Sequence, residues 1–383
     1  MSAMQHFKAA RLFDGNQWHD GATLGCEGGS VSQIIDGGTQ VSGADVTDLG
    51  AGFIVPGFVD LQVNGGGGVL FNDTTDSDAL ERLCAAHFQF GSTALLPTLI
   101  TDTPSVTRAA IAAGLAAQAR GIRGFEGLHL EGPHLSVARK GAHNPGYIRP
   151  MEQADLDTLI EARAGLATLL TTIAPESVAT EQTRALAEAG LIVSLGHSDA
   201  SYETASAHFA AGATMVTHLF NAMSQLGSRE PGIVGAALDH GIWAGLIADG
   251  HHVAPGTISV AMRGKKGPGR IFLVTDAMST IGTDLERFTL NGREIVRADG
   301  ALRLADGTLA GADLTMIDAV RYMHKIVGIS LQEALRMASL YPAQAIGQAD
   351  RLGQLGLGAE ASFVHLSDAL DVLGVWIKGE RVV

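Results

Sequence analysis

Cysteine is almost missing from this chain: there are two in 383 residues, Cys26 and Cys84. Two thiols cannot make a disulfide framework, and their spacing is not that of a zinc ribbon. Basic residues are in deficit, 26 Lys and Arg against 40 Asp and Glu, for a formal net charge of −14. A chain this acidic has no general affinity for nucleic acid or for an anionic membrane, so neither is expected as a partner. No window offers the roughly 18 uninterrupted apolar residues of a membrane span. The opening MSAMQHFKAARLFDG lacks the apolar stretch of a signal peptide. A reduced, cytoplasmic enzyme fits these absences.

What is present is a core-forming composition, 46% hydrophobic and 17% charged, long enough for one large α/β domain and a small accessory domain. The first fifty or so residues show D-G and G-G turns between short apolar pieces and predict strands. From Phe53 onward, apolar runs alternate with amphipathic segments. Eight runs stand out: 57–63, 93–100, 125–132, 169–176, 191–198, 215–222, 243–250 and 271–278. Helical patterns lie between them at 78–90, 104–118, 176–189 and 200–211, and are weaker after the sixth and seventh runs. Continuous apolar strands alternating with helices predict a parallel sheet, and eight units predict a closed (β/α)8 TIM barrel. Two further helices are expected at 313–327 and 330–339, the second opened by a Ser330–Glu333 capping box. The tail returns to short strands. Residues 1–54 and 346–383 are expected to pair into a small β-sandwich domain beside a barrel spanning 55–345.

In such a barrel, reactive groups sit at the C-terminal strand ends. Four runs carry one there: Glu131 on the third, His197 on the fifth, His218 on the sixth and Asp276 on the eighth. Side chains two apart share a face, which groups His197 with Val193 and Leu195, His218 with Val216, and Asp276 with Phe272 and Val274. A single strand-end His or Glu is more often a surface residue. Four together predict a divalent metal site, because one carboxylate and two imidazoles suit zinc or a similar ion with an open position. His129 shares the face of Glu131 and is a candidate for the same centre or its surroundings.

The segments LHLEGPHL (128–135), SLGHSDAS (194–201), THLFNAM (217–223) and VTDAM (274–278) resemble the N-acetylglucosamine-6-phosphate deacetylases of the amidohydrolase superfamily, and the likeness extends from VPGFVDLQVNG (55–65) to the C-terminal G-E-R-V. The resemblance implies removal of an acetyl group from a phosphorylated amino sugar, with Glu131, His197 and His218 as metal ligands and Asp276 as the acid/base. His143 in KGAHNPG matches a residue that contacts the sugar and the reacting acetamide. Asn221 and Ala222 match substrate contacts. Arg229 and His252 match a phosphate-binding pair, in a pocket completed across a homodimer interface. Many members of the superfamily carry H-x-H on the first strand and hold two metals. Here Gln62-Val63-Asn64 stands instead, and neutral amides are poor ligands beside imidazole. One metal per chain is therefore expected, zinc first, with iron, cobalt or manganese as alternatives, and Gln62 and Asn64 are expected to position water or substrate. The Gly65–Gly68 run is expected to form a tight bend at the barrel mouth. Rival expectations are a deacetylase for the galactosamine epimer, another amidohydrolase such as a cyclic-amide hydrolase, or a barrel that has lost catalysis and serves as a scaffold.

Overall fold

The computed structural model describes residues 4–39 and 46–383. Its centre is an eight-stranded parallel sheet whose strands follow sequence order: β1 Phe58–Val63, β2 Ser92–Ile100, β3 Leu128–Glu131, β4 Leu169–Ile173, β5 Ile192–Leu195, β6 Met215–Val216, β7 Trp243–Leu246 and β8 Ile271–Leu273. A parallel bridge between Val63 and Ala277 closes the sheet on itself. All eight lie in the expected runs, to within one residue. The reason is physical: strands buried on both faces must be apolar throughout, and this sheet is buried along nearly its whole length.

Helices follow strands β1 to β7 in turn: α1 Ser77–Phe88, α2 Pro104–Arg120, α3 Gln153–Gly165, α4 Thr180–Glu188, α5 Tyr202–Ala210, α6 Gly232–Asp239 and α7 Pro255–Gly264. Side-chain caps set several of their starts, including Asp76, Thr103 and Ser201. The fourth begins later than its periodicity suggests, because Glu176 is occupied: its carboxylate accepts from Ser198 Oγ at 2.7 Å and Asp199 N–H at 2.7 Å. The helix expected from 313 starts instead at Met316 (α8, Met316–Tyr322) and ends in a π turn, Met323–Val327. Thr315 caps it, and Asp313 stays outside as the partner of Arg297, 2.7 Å away. Ser330 caps α9 (Leu331–Ala338) as expected, but Glu333 turns to the Tyr341 hydroxyl at 2.9 Å rather than completing the box. A last helix, α10 Leu340–Ala345, follows.

The chain ends meet in two sheets. One orders Ser30–Ile35, Thr23–Glu27, Gln5–Lys8 and Val46–Asp48; the other orders Glu380–Arg381, Val372–Ile377, Phe363–Leu366, Phe53–Pro56, Arg11–Phe13 and Trp18–Asp20. Phe7, Leu12, Leu24, Ile54, Phe363 and Trp376 fill a shared core, with the last two rings stacked at 4.8 Å. The fold is thus a (β/α)8 barrel with a small β domain built from both ends of the chain. Strand Phe53–Pro56 pairs within that domain and leads directly into β1.

One element is absent from the expectations above. Between β8 and α8 the chain forms an antiparallel three-stranded sheet, Arg287–Leu290, Arg293–Ala298 and Ala301–Arg303. Its two-residue turns, Asn291-Gly292 and Asp299-Gly300, all take positive φ, from 49° to 74°, which matches the twist of a hairpin. Leu290, Ile295 and Leu302 pack with Leu70, Ile100 and Met278, roofing the barrel mouth.

Candidate active site

The site is built where strands stop. Glu131 is the last residue of β3, while His197 and His218 lie two residues beyond β5 and β6, and Asp276 three beyond β8. These last three adopt left-handed backbone, with φ of 47°, 31° and 51°. Such conformations cost about 1–3 kcal/mol each and persist where surrounding structure over-determines them. Backbone bonds do so here: Ser136 N–H donates to His197 O at 2.9 Å, Asp276 N–H to Gln62 O at 2.9 Å, and Ala312 N–H to Asp276 O at 2.8 Å. Strand alternation alone does not aim these side chains; the turn after each strand does.

Glu131, His197 and His218 converge. Glu131 Oε1 lies 3.2 Å from His197 Nε2 and 3.1 Å from His218 Nε2, and the two nitrogens are 3.1 Å apart. Ligand atoms about 2.1 Å from a common cation stand about 3.0–3.4 Å from one another. His197 Nδ1 donates to Arg139 O at 2.9 Å, so its Nε2 presents a lone pair to the cluster. A lone pair and a carboxylate aimed at one point favour a positive charge between them. Burial opposes charge on Glu131 and His218, yet His197 and His218 hold the Glu131 pKa well down, and Glu131 holds the His218 pKa up. The buried group Glu131, His143 and His197 is able to bind a metal, its donor atoms lying within 4.8 Å of one another. It is looser than the cluster with His218, with His143 Nε2 3.9 Å from Glu131 Oε2.

Beside the cluster, Asp276 Oδ1 accepts from Asn64 Nδ2 at 2.6 Å and from Gln62 Nε2 at 3.3 Å. Gln62 Nε2 also reaches Glu131 Oε1 at 3.1 Å. The two amides that stand at the H-x-H positions therefore face carboxylates. Burial and the nearby Glu131 charge push the Asp276 pKa up to about 6. The Gly65–Gly68 run is a tight hairpin, as expected: Gly67 and Gly68 take φ of 60° and 79°, and a Cβ on Gly65 would collide with Val69 O.

A cavity of about 220 Å³ opens above these groups. Asn64, His143, Asn221, Ala222 and His252 line it with Glu131, His197, His218 and Asp276, and Leu290 of the roof closes it together with Thr308 and Leu309. His143 Nδ1 is held by Thr101 Oγ1 at 2.8 Å, and burial, reinforced by His197, keeps the ring neutral with its pKa well below the usual range. Arg229 is not brought to this cavity. It is exposed on the loop before α6 and has no hydrogen bond or ion pair among the described residues. Gln62 lies below the cavity wall. His129 also sits beneath the site, its ring nitrogens facing Thr172 Oγ1 at 2.8 Å and Thr98 Oγ1 at 3.4 Å.

The sequence-based reading missed three supporting residues. Asp60, fully buried inside β1, accepts from Thr275 Oγ1 at 2.5 Å and from the backbone N–H groups of Thr275 and Gln62, tying the first strand to the last. Burial pushes its pKa up to about 7. Its signal was a lone charge in an apolar run, two residues before Gln62. Thr101 and Asp249 hold His143 and His252; no pattern of types or spacing marks them.

A buried carboxylate and imidazoles with converging donor atoms, able to bind a metal, next to a second carboxylate at the C-terminal mouth of a (β/α)8 barrel, define the active site of a hydrolase. The family model for the amidohydrolase family matches residues 53–382, and the chain belongs to that family. It is 44% identical to an N-acetylgalactosamine-6-phosphate deacetylase of Shewanella sp. (strain ANA-3), covering 87% of this chain and 84% of the relative. It is 38% identical to an N-acetylglucosamine-6-phosphate deacetylase of Haemophilus influenzae, covering 91% and 92%. The crystal structure of N-acetylglucosamine-6-phosphate deacetylase from Pasteurella multocida superposes with a TM-score of 0.95 at 35% identity, covering 99% of both chains.

Proposed function

We propose that this amidohydrolase removes the acetyl group from N-acetyl-D-glucosamine 6-phosphate, giving D-glucosamine 6-phosphate and acetate. The observation that carries this is the convergence of Glu131, His197 and His218 at 3.1–3.2 Å beside Asp276, in a chain whose relatives bear that activity in their names. The 44% identity to the Shewanella enzyme favours a second substrate, the N-acetylgalactosamine epimer. Acetate release from both 6-phosphates, with and without a chelator, decides between them. Release from neither after metal reconstitution overturns the assignment.

Glu131, His197 and His218 would hold one divalent ion, zinc by preference, with iron, cobalt or manganese as alternatives. Such an ion, when bound, supplies Lewis acidity that makes water more acidic and polarises a carbonyl. Asp276 does the proton chemistry. Asn64 and Gln62 occupy Oδ1, which leaves Oδ2 to take a proton from the attacking water and return it to the departing nitrogen. His143, fixed by Thr101, orients the acetamide, and Asn221, Ala222 and Asn64 contact the sugar. The Asn64 carbonyl oxygen is buried without a hydrogen-bond partner among the described residues, so a substrate N–H or O–H suits it.

His252 and Arg229 bind the 6-phosphate, and Arg229 does so in a second copy. Its exposed position off its own cavity supports this, as does the apolar groove beside it. There Phe220 and Leu238 sit with Leu226 and Val260, 56% and 58% exposed. The chain is accordingly a homodimer, divided into a small domain (1–54 and 346–383) and a catalytic barrel (55–345). Among the described residues no helix is long and apolar enough to cross a membrane, which accords with a cytoplasmic location.

A further inference from the structure

We propose that Asp249 is a positioning residue of the phosphate subsite: its carboxylate holds His252 Nδ1 and so aims Nε2 at the substrate phosphate as a donor. The proposal rests on the assignment of His252 to the phosphate.

The geometry is specific. Asp249 Oδ2 lies 2.6 Å from His252 Nδ1, and the two side chains are 5% and 7% exposed. Asp249 Oδ1 accepts from the backbone N–H groups of His251 and His252, each at 2.8 Å. The carboxylate is thus fixed by the turn it spans, and the imidazole is fixed by the carboxylate. Burial opposes ionisation of Asp249, but these donors hold its pKa below the ordinary carboxylate range. His252 Nε2 makes no hydrogen bond among the described residues, and the ring lines the cavity. Of the other ionisable groups, Asp276 feels His252 and Tyr322 feels Asp249.

Phosphate oxygens only accept. A neutral imidazole whose Nδ1–H is spent on Asp249 would offer the phosphate a lone pair at Nε2 and repel it. Only the imidazolium donates at both ends, and a buried carboxylate on the far side compensates its charge. Asp249 therefore reaches the phosphate through His252.

The test compares kcat/KM for N-acetylglucosamine 6-phosphate and plain N-acetylglucosamine in the metal-loaded parent, in Asp249→Asn, in His252→Gln and in the double variant. Asn is isosteric and still accepts from the two backbone N–H groups, so the turn is kept and the negative charge is lost. The expected result is that Asp249→Asn narrows the preference for the phosphorylated sugar by about 10- to 100-fold, through KM more than kcat, and that the double variant matches His252→Gln alone. If His252→Gln narrows the preference and Asp249→Asn does not, Asp249 only shapes the turn and the proposal is overturned. An additive double variant overturns it equally. If His252→Gln itself keeps the preference, the phosphate assignment falls and takes the proposal with it. Should Asp249→Asn fail to fold, Asp249→Ser retains an acceptor for the turn. Weaker inhibition by inorganic phosphate in that variant than in the parent supports the proposal, and unchanged inhibition overturns it.

Discussion

Replacing Asn64 by Ala should move the pH dependence of the enzyme in a defined direction. Asn64 Nδ2 donates to Asp276 Oδ1 at 2.6 Å in a buried setting. A hydrogen bond to an ionised carboxylate contributes about 1.5–3 kcal/mol, and about 1.4 kcal/mol corresponds to one pKa unit. The donation favours the ionised form, so its loss raises the Asp276 pKa further above the value near 6 set by burial and Glu131. Gln62 still donates, more weakly, at 3.3 Å. The base form then disappears at higher pH. The acid limb of kcat/KM for acetate release should shift upward by about one to two pH units relative to the parent. On the acid limb the variant should be about tenfold slower than the parent beyond any loss common to all pH values, and above that limb the gap should narrow to the pH-independent loss of the Asn64 contact with the sugar. The measurement is a pH–rate profile from pH 5 to 9.5 on both proteins at matched metal content. An acid limb that stays put or moves down would refute the claim that Asn64 sustains the charge of Asp276. A uniform loss across pH would show that Asn64 acts only on substrate.

Asp276→Asn should retain the bound metal and lose nearly all turnover; an active variant removes Asp276 from the acid/base role. Metal analysis of the purified protein should find about one ion per chain, and two tightly held ions would mean that Gln62 and Asn64 do not exclude a second. Burial holds the Asp60 pKa up at about 7 against an ordinary value of 3.8, so folding takes up a proton at pH values between the two. Its stabilising contribution is full below about pH 4 and is lost as pH rises through 7, on the order of 4 kcal/mol across the interval. Asp60→Asn should therefore gain in thermal midpoint relative to the parent as pH rises from 5 to 8, and a constant difference over that range contradicts a buried, protonated Asp60.

The barrel was legible because its strands are apolar on both faces, and a run such as 93–100 has few other places to go. Glu131, His197, His218 and Asp276 were legible as polar residues at the ends of such runs. Their aim was not, because His197, His218 and Asp276 owe it to left-handed turns beyond the strands rather than to alternation within them. The roof at 287–303 carries N-G and D-G hairpin signals, but it interrupts the strand–helix rhythm between β8 and α8 and is hidden by it. The start of α8 was misplaced because Asp313, a plausible cap by type, is committed to Arg297 from the roof, a contact only the fold creates. Arg229 matched a pattern yet lies exposed, off the cavity of its own chain.

The handedness at His197, His218 and Asp276 also restricts what each position can become. Outside glycine, the residues that most readily enter positive φ are Asn, Asp and His. Imidazole and the shorter carboxylate are thus admitted by the backbone before any demand of reactivity is made. A β-branched replacement at these three positions meets steric refusal from the main chain itself, and Asp276→Glu trades a tolerated residue for a poorly tolerated one while keeping the carboxyl group. The range of substitutions open to drift at this rim is narrow for reasons that would hold even if the enzyme had nothing to hydrolyse.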